Sequence, residues 1–487
     1  MLLLFIIIIL LFFSLVTNHF NEKHNHLAVC FSILIVLLFY FSLSKILFNA
    51  NPFISNKENI IFSPCGNYYN LLVDSFCNGR LDIFDDRIIT NYKLFLLDTS
   101  SYNDKIYLYF GITPILLFYL PFNLITNLYL TDRFTTFILS FLSFLLSFFL
   151  VYKTTKKYKD IPSYIKILSI FMLGFCNLLP FLIIRSFIYQ VAVLTANILL
   201  LSSFCLLSYF TESTNTKHKN IFIFFISLFL CLAVGARPHY ILFIPIFFFF
   251  IIYLNYKENG NTKSIFKTIL IFFIPCIVYG TLLALYNYLR FDSIFEFGWK
   301  YQLNNHNQMH YIPKIKDFII GLKNNFLLLP NMNEYTFFSL TKASGHRIGN
   351  EYITGVLWTC PIITMLVFLP NFLRKIYKEN NKNFYLLLVL ILTTIISIFV
   401  ACFYGMIIRY IFEFLSLMII ISIIIFLFYI NETKDKTLKN FLIYLFVLIF
   451  IYSTFINISL LFCKENFWNF EILANTNYTK IVNFLFR

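Results

Sequence analysis

Long apolar runs separated by short polar segments dominate the pattern of this chain. The apolar runs have roughly 17 to 23 residues, which is the length of helix needed to cross about 30 Å of hydrocarbon. Strong examples are Ala28–Phe48, Phe134–Tyr152, Thr268–Tyr288, Phe384–Cys402 and Phe441–Cys463. Because a backbone inside lipid must satisfy its own hydrogen bonds, these runs predict transmembrane helices. An outer-membrane barrel would instead show short segments of alternating hydrophobicity, which this sequence lacks.

The first apolar stretch, Met1–Val16, has a length that also suits a signal peptide. It has no basic region before its apolar core, and no small-x-small cleavage site follows it. We therefore expect this stretch to be retained as a span.

Composition and charge agree with a membrane protein. Of the 487 residues, 59% are hydrophobic and 13% are charged, and the mean hydropathy is +0.77. Soluble domains carry about a quarter charged residues. The net charge of +15 comes from lysines in short loops, so we interpret it as a topology signal and expect no nucleic-acid partner. The ten cysteines are scattered and form no metal-ligand spacing.

Basic residues concentrate in short loops, and two predicted spans separate each loop from the next. The positive-inside rule places all of these loops in the cytoplasm. They are Lys153–Lys166, Lys217–Lys219, Lys257–Lys267, Arg374–Lys382 and Lys434–Lys439. The opposite, extracytoplasmic side then receives Ile184–Gln190, Gly235–His239, Arg290–Ile353, Phe403–Arg409 and the tail after Cys463.

This topology makes Asn49–Arg133 one large extracytoplasmic loop, provided that Ile106–Leu128 does not cross the bilayer. That apolar segment carries Pro114 and Pro121 and begins with several aromatic residues. We therefore expect a helix that lies along the outer interface or dips into the bilayer. The predicted fold is all-α and polytopic, with about twelve transmembrane helices in a single membrane domain. That domain spans residues 1–487, with outer loops at 49–133 and 290–353.

Unusual polar residues gather on the outer side of this topology. Charges at membrane depth are costly and indicate function. Arginine forks match phosphate oxygens, and a nearby carboxylate can act as a general base on an alcohol or amine. The candidates are Asp74 and Asp98 as the base, Arg185, Arg237, Arg409 and Lys105 for phosphate, and Tyr102, Tyr189, Glu296, Glu351 and Glu413 around them.

Each candidate also has a purely structural interpretation. Arg185 and Arg237 could extend along apolar surface to reach the interface. Arg409 and Glu413 are four residues apart on one helix face, which suits a simple ion pair. Asp74 could be a solvent-facing aspartate of the amphipathic helix predicted at Tyr68–Phe76. The sequence alone leaves these alternatives open.

Several stretches resemble the GT-C membrane glycosyltransferases of bacteria. Tyr68–Leu81, which reads YYNLLVDSFCNGRL, is similar to the first outer loop of that superfamily, whose members include protein mannosyltransferases and aminoarabinose transferases. Asp98–Pro114 resembles the later part of that loop, which ends in a Lys- and Pro-containing interfacial helix. Gly235–Pro238, Arg290–Gly298 and Arg409–Phe414 resemble motifs of an uncharacterised bacterial branch. The resemblance covers most of the chain, through motifs that are short.

One departure affects the catalytic assignment. Better-known members place an Asp-Glu pair upstream of the glycine that matches Gly79, and this sequence has Pro64 and Cys65 there. Asp74 or Asp98 would then supply the carboxylate, or the branch uses a different chemistry.

The resemblance implies an inverting glycosyltransferase in the bacterial cytoplasmic membrane, with its active site on the outer side. It implies a polyprenyl-phosphate-sugar donor and a glycan, lipid or protein acceptor. Arg237 and Arg409, with Arg185 and Lys105, would stabilise the leaving phosphate. No cofactor is identified, and a divalent metal ion is compatible with this chemistry but not required. The alternatives are a polysaccharide assembly protein or polymerase, and a transporter of lipid-linked sugars.

Overall fold

The long apolar runs form the helices that the pattern predicts. The structure is a computed structural model that describes residues 25–46, 53–54, 68–83, 99–303, 314–333, 336–346, 350–379, 383–463 and 465. Its α-helices are α1 Asn25–Ile46, α2 Tyr68–Cys77, α3 Leu120–Thr126, α4 Asp132–Thr155, α5 Ser163–Phe175, α6 Leu179–Ile184, α7 Ile188–Glu212, α8 Thr216–Ala236, α9 Ile244–Asn259, α10 Thr262–Phe291, α11 Ile315–Leu327, α12 Val356–Thr359, α13 Leu369–Lys378, α14 Asn383–Tyr404, α15 Ile408–Glu432 and α16 Lys436–Leu461.

Short strands and tighter helical turns connect these helices. The strands pair antiparallel as β1 Phe53–Ile54 with β4 Tyr129–Leu130, β2 Thr99–Tyr102 with β3 Lys105–Leu108, β5 Asn331–Asn333 with β6 Phe337–Ser339, and β7 Thr341–Lys342 with β8 Tyr352–Ile353. A π-helical turn, Ile115–Tyr119, leads into α3, and 3₁₀ helices occupy Pro238–Phe243, Trp299–Tyr301 and Pro361–Phe368.

Within the described residues, ten helices are long and apolar enough to cross a membrane. This confirms the all-α polytopic prediction. They are His26–Ser44, Asp132–Thr155, Ser163–Ile184, Ile188–Glu212, Thr216–Ala236, Pro238–Glu258, Thr262–Phe291, Asn383–Tyr404, Ile408–Glu432 and Lys436–Leu461. The predicted span Met1–Val16 lies outside the described residues.

A further segment, Pro361–Lys378, consists of a 3₁₀ helix followed directly by α13. The 3₁₀ part has 8 residues and α13 has 10 residues. With rises of about 2.0 and 1.5 Å per residue, the part before the first basic residue, Arg374, is about 24 Å long. The alternation of the basic loops predicts a crossing at this point, which stays a prediction.

The chain divides into two compact units. Unit 1 comprises Met1–Ala50, Ser140–Arg185 and Lys314–Arg487, and unit 2 comprises Asn51–Leu139 and Ser186–Pro313. In unit 1, α15 is buried along its apolar length and contacts α14, α16, α5 and the 3₁₀ helix Pro361–Phe368. In unit 2, α8 packs between α7 and α10. The loop boundaries 49–133 and 290–353 stay predictions.

The segment expected to be one interfacial helix begins as a strand. We expected helix from Ile106, but β2 and β3 form a hairpin in which Tyr102 pairs with Lys105. The turn residues Asn103 and Asp104 have φ of 49° and 59°. Positive φ at both central residues is type I′ geometry, whose twist matches that of the two paired strands. The hairpin therefore forms in place of the helix expected for the residues that follow the turn.

The helical part of this segment is short. The π-helical turn and α3 contain 5 and 7 residues and end at Asn127, whose φ is 58°. Their length is about 18 Å, well below the roughly 30 Å of a bilayer core. A full crossing by a single helix is therefore excluded for Ile106–Leu128, while its position relative to the membrane stays a prediction.

The backbone before this helix passes close to the end of α8. A Cβ on Gly111 would lie 2.0 Å from the Gly235 carbonyl oxygen. The Thr113 hydroxyl donates to the Leu232 carbonyl at 2.8 Å and lies 2.6 Å from the Tyr279 hydroxyl. These contacts attach the first-loop segment to α8 and α10.

Candidate functional site

Three of the candidate residues meet in unit 1. Glu351 Oε2 lies 3.1 Å from Arg185 NH1, and Glu351 Oε1 lies 3.6 Å from Arg409 NH1. Each carboxylate oxygen therefore faces one guanidinium. We call these three residues the arginine–glutamate cluster.

Each member of the cluster is placed by a different element. Arg185 is the C-cap residue of α6, and its N–H donates to the Phe181 carbonyl. Arg409 lies in the first turn of α15. Glu351 is extended: its N–H donates to the Met406 carbonyl at 3.2 Å, and its carbonyl accepts from the Ala343 N–H at 3.0 Å. Residues far apart in sequence are thus brought to one point.

The cluster is largely withdrawn from solvent. The side chains of Arg185, Glu351 and Arg409 are 4%, 17% and 16% exposed. Burial lowers the pKa of Arg185, and the Glu351 carboxylate partly offsets this effect. Two guanidinium groups and one carboxylate carry a net charge of +1.

One structural alternative from the sequence, in which Arg185 extends to the interface, does not describe this cluster. Arg185 is buried and ion-paired, so its guanidinium does not reach solvent as an interfacial arginine would. Arg409 has Glu351 as an ionic partner from a distant segment, which the sequence spacing to Glu413 did not suggest. Glu413 is 4% exposed and lies one turn further along α15.

A small cavity with a mostly apolar lining lies in unit 1. A cavity of about 10 Å³ is lined by Phe181, Ile353 and Ile408, among other apolar residues. Each of these three residues lies within a few positions of a cluster member. A space of this size holds about one water molecule. What matters for the site is that the side chains lining it are mostly apolar.

Unit 2 holds another group of candidates at the hairpin. The Tyr102 hydroxyl donates to Asp292 Oδ2 at 3.0 Å, and this hydrogen bond raises the pKa of Tyr102. Lys105 is exposed at the start of β3. Glu296 Oε1 accepts from the Gly298 N–H at 2.7 Å and therefore shapes the loop after α10. Its role in the fold is thus a turn-forming one.

A buried polar group in unit 2 was missed by the sequence reasoning. The Tyr119 hydroxyl donates to Asp132 Oδ1 at 2.6 Å, and the Asp132 side chain is fully buried. The rings of Tyr119 and Tyr69 are 5.2 Å apart. Burial and the Asp132 carboxyl group raise the pKa of Tyr69, whereas the charge of Arg237 acts in the opposite direction. Arg237 is half-buried and is thus an electrostatic neighbour of this group.

Asp74 lies on the predicted amphipathic helix, which the structure confirms as α2. Leu71 and Leu72 are buried and Asp74 is half-buried, as the helical periodicity predicts. Burial raises the pKa of Tyr129, and the nearby Asp74 carboxylate adds to this increase. Asp74 is therefore a neighbour of the Tyr129 hydroxyl.

The remaining candidates are placed as follows. Tyr189 is half-buried at the start of α7, with its ring 5.0 Å from that of Phe110. Asp98 lies outside the described residues. Arg237 and Arg409 belong to different units, so their expected meeting in one cavity stays a prediction. In the part of the chain that the structure describes, no three His, Cys, Asp or Glu side chains are grouped to hold a metal ion.

Comparison with known proteins gives distant structural similarity. No family profile and no curated protein matches the chain. The fold is similar to the apo Archaeoglobus fulgidus oligosaccharyltransferase, with a TM-score of 0.48 and 12% identity over 88% of this chain and 55% of that one. It is also similar to archaeal oligosaccharyltransferase AglB from Archaeoglobus fulgidus in complex with an inhibitory peptide and a dolichol-phosphate, with a TM-score of 0.48 and 12% identity over 93% and 59%. The chain therefore spans little more than half the length of these solved chains.

Proposed function

We propose that this chain is a membrane glycosyltransferase that transfers a sugar from a polyprenyl-phosphate carrier to an extracytoplasmic glycan, lipid or protein. The observation that carries the proposal is the arginine–glutamate cluster, in which Arg185 and Arg409 converge on Glu351. It occurs in a chain with ten candidate membrane spans among its described residues.

The paired arginines suit a phosphate leaving group. A guanidinium offers several N–H donors in a planar fork that matches phosphate oxygens. When the bond from the anomeric carbon to the phosphate oxygen breaks, negative charge develops on the phosphate. Fixed positive groups in a site that excludes water stabilise that charge most effectively. Arg185 is buried, Arg409 is half-buried and both pair with Glu351, which supports this role.

A lipid carrier agrees with the surroundings of the cluster. The residues beside Arg185, Glu351 and Arg409 along the chain contribute to an apolar wall. A ligand whose charged phosphate is joined to an apolar chain would place each part against a matching surface. The cytoplasmic-membrane location and the outward-facing site belong to this proposal.

The chemical step is an inverting displacement. A carboxylate, for which Asp74 and Asp98 are the candidates, takes the proton from the acceptor hydroxyl. The acceptor oxygen then forms its bond to the anomeric carbon as the carrier phosphate departs with the bonding electrons. Tyr102, Tyr189 and Glu296 would contact the acceptor.

A transfer assay with the full chain in lipid nanodiscs tests this function. Radiolabelled sugars on polyprenyl phosphate serve as donors, with extracted envelope glycans, lipids and peptides as acceptors. We expect Arg185→Gln and Arg409→Gln each to reduce turnover by about 10²-fold, as found when a group that stabilises developing negative charge is removed. The control is Arg374→Gln, which changes an exposed arginine of the same unit. Equal rates in all three variants would contradict the proposal.

A further inference from the structure

We propose that Glu351 is an internal counter-anion of the arginine pair, which a ligand phosphate displaces and which returns to the arginines when the phosphate leaves. This inference rests on the proposed function, because it assigns a regulatory role at the same site. The group recognised is phosphate, whether it is attached to a lipid or free in solution.

The first support is the geometry of the ion pairs. Glu351 presents Oε2 to NH1 of Arg185 at 3.1 Å and Oε1 to NH1 of Arg409 at 3.6 Å. A phosphate that bridged both arginines through their NH1 groups would use the donors that Glu351 already occupies. The carboxylate therefore occupies the position that a bridging phosphate oxygen pair would take, and the two anions compete.

The second support is charge. A phosphate that entered beside Glu351 would meet a like charge in a poorly solvated site, where repulsion is weakly screened. Displacement of the carboxylate towards solvent avoids that repulsion. The Glu351 side chain is 17% exposed, so it is not fully enclosed.

The third support is the tether. The backbone of Glu351 is held on both sides, by Met406 and by Ala343, and the next residue, Tyr352, pairs with Lys342 in the β7–β8 ladder. A displaced carboxylate therefore remains within side-chain reach of the arginines, at a high effective concentration. Arg185 also donates to the Glu465 carbonyl at 3.4 Å, which helps to keep it in place while Glu351 is away.

The consequence is weaker binding and faster release of phosphate. A tethered competitor raises the apparent Kd, because part of the ligand's binding energy is used to displace it. It also favours departure of the phosphate product, because it re-forms the two ion pairs. Glu351 would thereby prevent the arginines from retaining the carrier phosphate after transfer.

Equilibrium binding and dissociation of radiolabelled farnesyl phosphate test the inference, using the full chain in nanodiscs. We expect Glu351→Gln to bind about tenfold more tightly than the wild type and to release the probe more slowly, because one nearby negative charge is removed. Inorganic phosphate is used as the competitor. If the site recognises phosphate itself, Glu351→Gln should also bind inorganic phosphate more tightly than the wild type does. If only the affinity for farnesyl phosphate rises, the lipid-linked form is the ligand.

Two further variants keep the outcomes distinct. Glu351→Asp retains the charge but withdraws the carboxylate by one methylene, so it should bind more tightly than the wild type and less tightly than Glu351→Gln; it also serves if the amide variant does not fold. The matched control is Glu432→Gln at the other, exposed end of α15. It should bind like the wild type.

The contrary results separate the two proposals. If Glu351→Gln binds no more tightly than the wild type, Glu351 does not compete and the counter-anion role is wrong. If it weakens binding as strongly as Arg185→Gln, Glu351 positions the arginines instead. If Arg185→Gln and Arg409→Gln leave binding unchanged, the phosphate site itself is wrong, and the proposed function loses its support.

Discussion

At the scale of single residues, Asp74 is the candidate general base whose position the structure describes. It is half-buried on α2 and lies near the Tyr129 hydroxyl, so it is neither fully solvated nor enclosed. Such a position is compatible with a base that must reach an acceptor. We expect Asp74→Asn to lower transfer by about 10²-fold, the lower end of the effect of losing a general base.

The readout for Asp74→Asn is transfer per correctly folded protein, with expression and thermal unfolding in detergent measured alongside. The substitution preserves size, so both stability measures should match the wild type. Asp82→Asn, at a neighbouring described position of the same loop, is the control. Normal transfer by Asp74→Asn together with loss in Asp98→Asn would exchange the two roles. If both remain active, Glu296 becomes the next candidate.

The residue scale also shows what the sequence could and could not predict of the site. Arg185, Glu351 and Arg409 were predictable as charges beside long apolar runs, because such charges are costly. Their pairing was not predictable, since it depends on where distant segments meet. Asp132 was missed because an aspartate before an apolar run is the ordinary start of a helix. Only the fold reveals that the Tyr119 hydroxyl donates to it.

At the scale of elements, the close passage of the first-loop segment past α8 carries a testable consequence. A Cβ on Gly111 would meet the backbone of Gly235 and Ala236, which cannot move as a side chain can. Overpacking of this kind costs about 1–3 kcal/mol. We therefore expect Gly111→Ala to lower the midpoint of thermal unfolding. Gly280→Ala is the control, because nothing lies within 4 Å of its added Cβ.

The two glycine variants should differ in sign. In the helix interior, alanine is favoured over glycine by about 1 kcal/mol, so Gly280→Ala in α10 should be neutral or stabilising. If Gly111→Ala unfolds at the same temperature as Gly280→Ala, the close approach of the two backbone segments is not present in the protein.

Elements with a strong periodic signal were the ones predicted from the sequence. The long apolar runs and the amphipathic helix Tyr68–Phe76 were predicted because burial of one face, or of all faces, produces a recognisable hydrophobic pattern. The hairpin Thr99–Leu108 was not, because its turn depends on positive φ at Asn103 and Asp104, which the type of residue permits but does not require. The 3₁₀ turns likewise carry no distinct pattern.

At the scale of the whole molecule, the basic clusters predict its orientation in the membrane. All of them fall where one helix ends and the next begins, as between α15 and α16. We expect Asn103→Cys, at the exposed hairpin turn, to react with a membrane-impermeant maleimide in intact cells. Thr437→Cys, in the exposed first turn of α16, should react only after permeabilisation.

This labelling is best carried out in a background that lacks Cys65, in the same loop, and the exposed thiols of Cys30 and Cys77. Reaction at position 103 only after permeabilisation would place the first loop in the cytoplasm. The proposed extracytoplasmic site would then be wrong, although the arginine–glutamate cluster itself would stand.

The complete enclosure of α15 in unit 1 has a consequence for biosynthesis. Its apolar length is buried by neighbouring helices, so in the finished protein it needs no affinity for lipid. The translocon, however, selects each segment by its hydrophobicity before the later helices exist. Contact with α16 can form only after that later helix has been synthesised. The nearly continuous Ile, Leu and Phe composition of α15 is therefore a requirement of integration, and a polar residue tolerated in the folded core would still delay entry of the nascent chain into the bilayer.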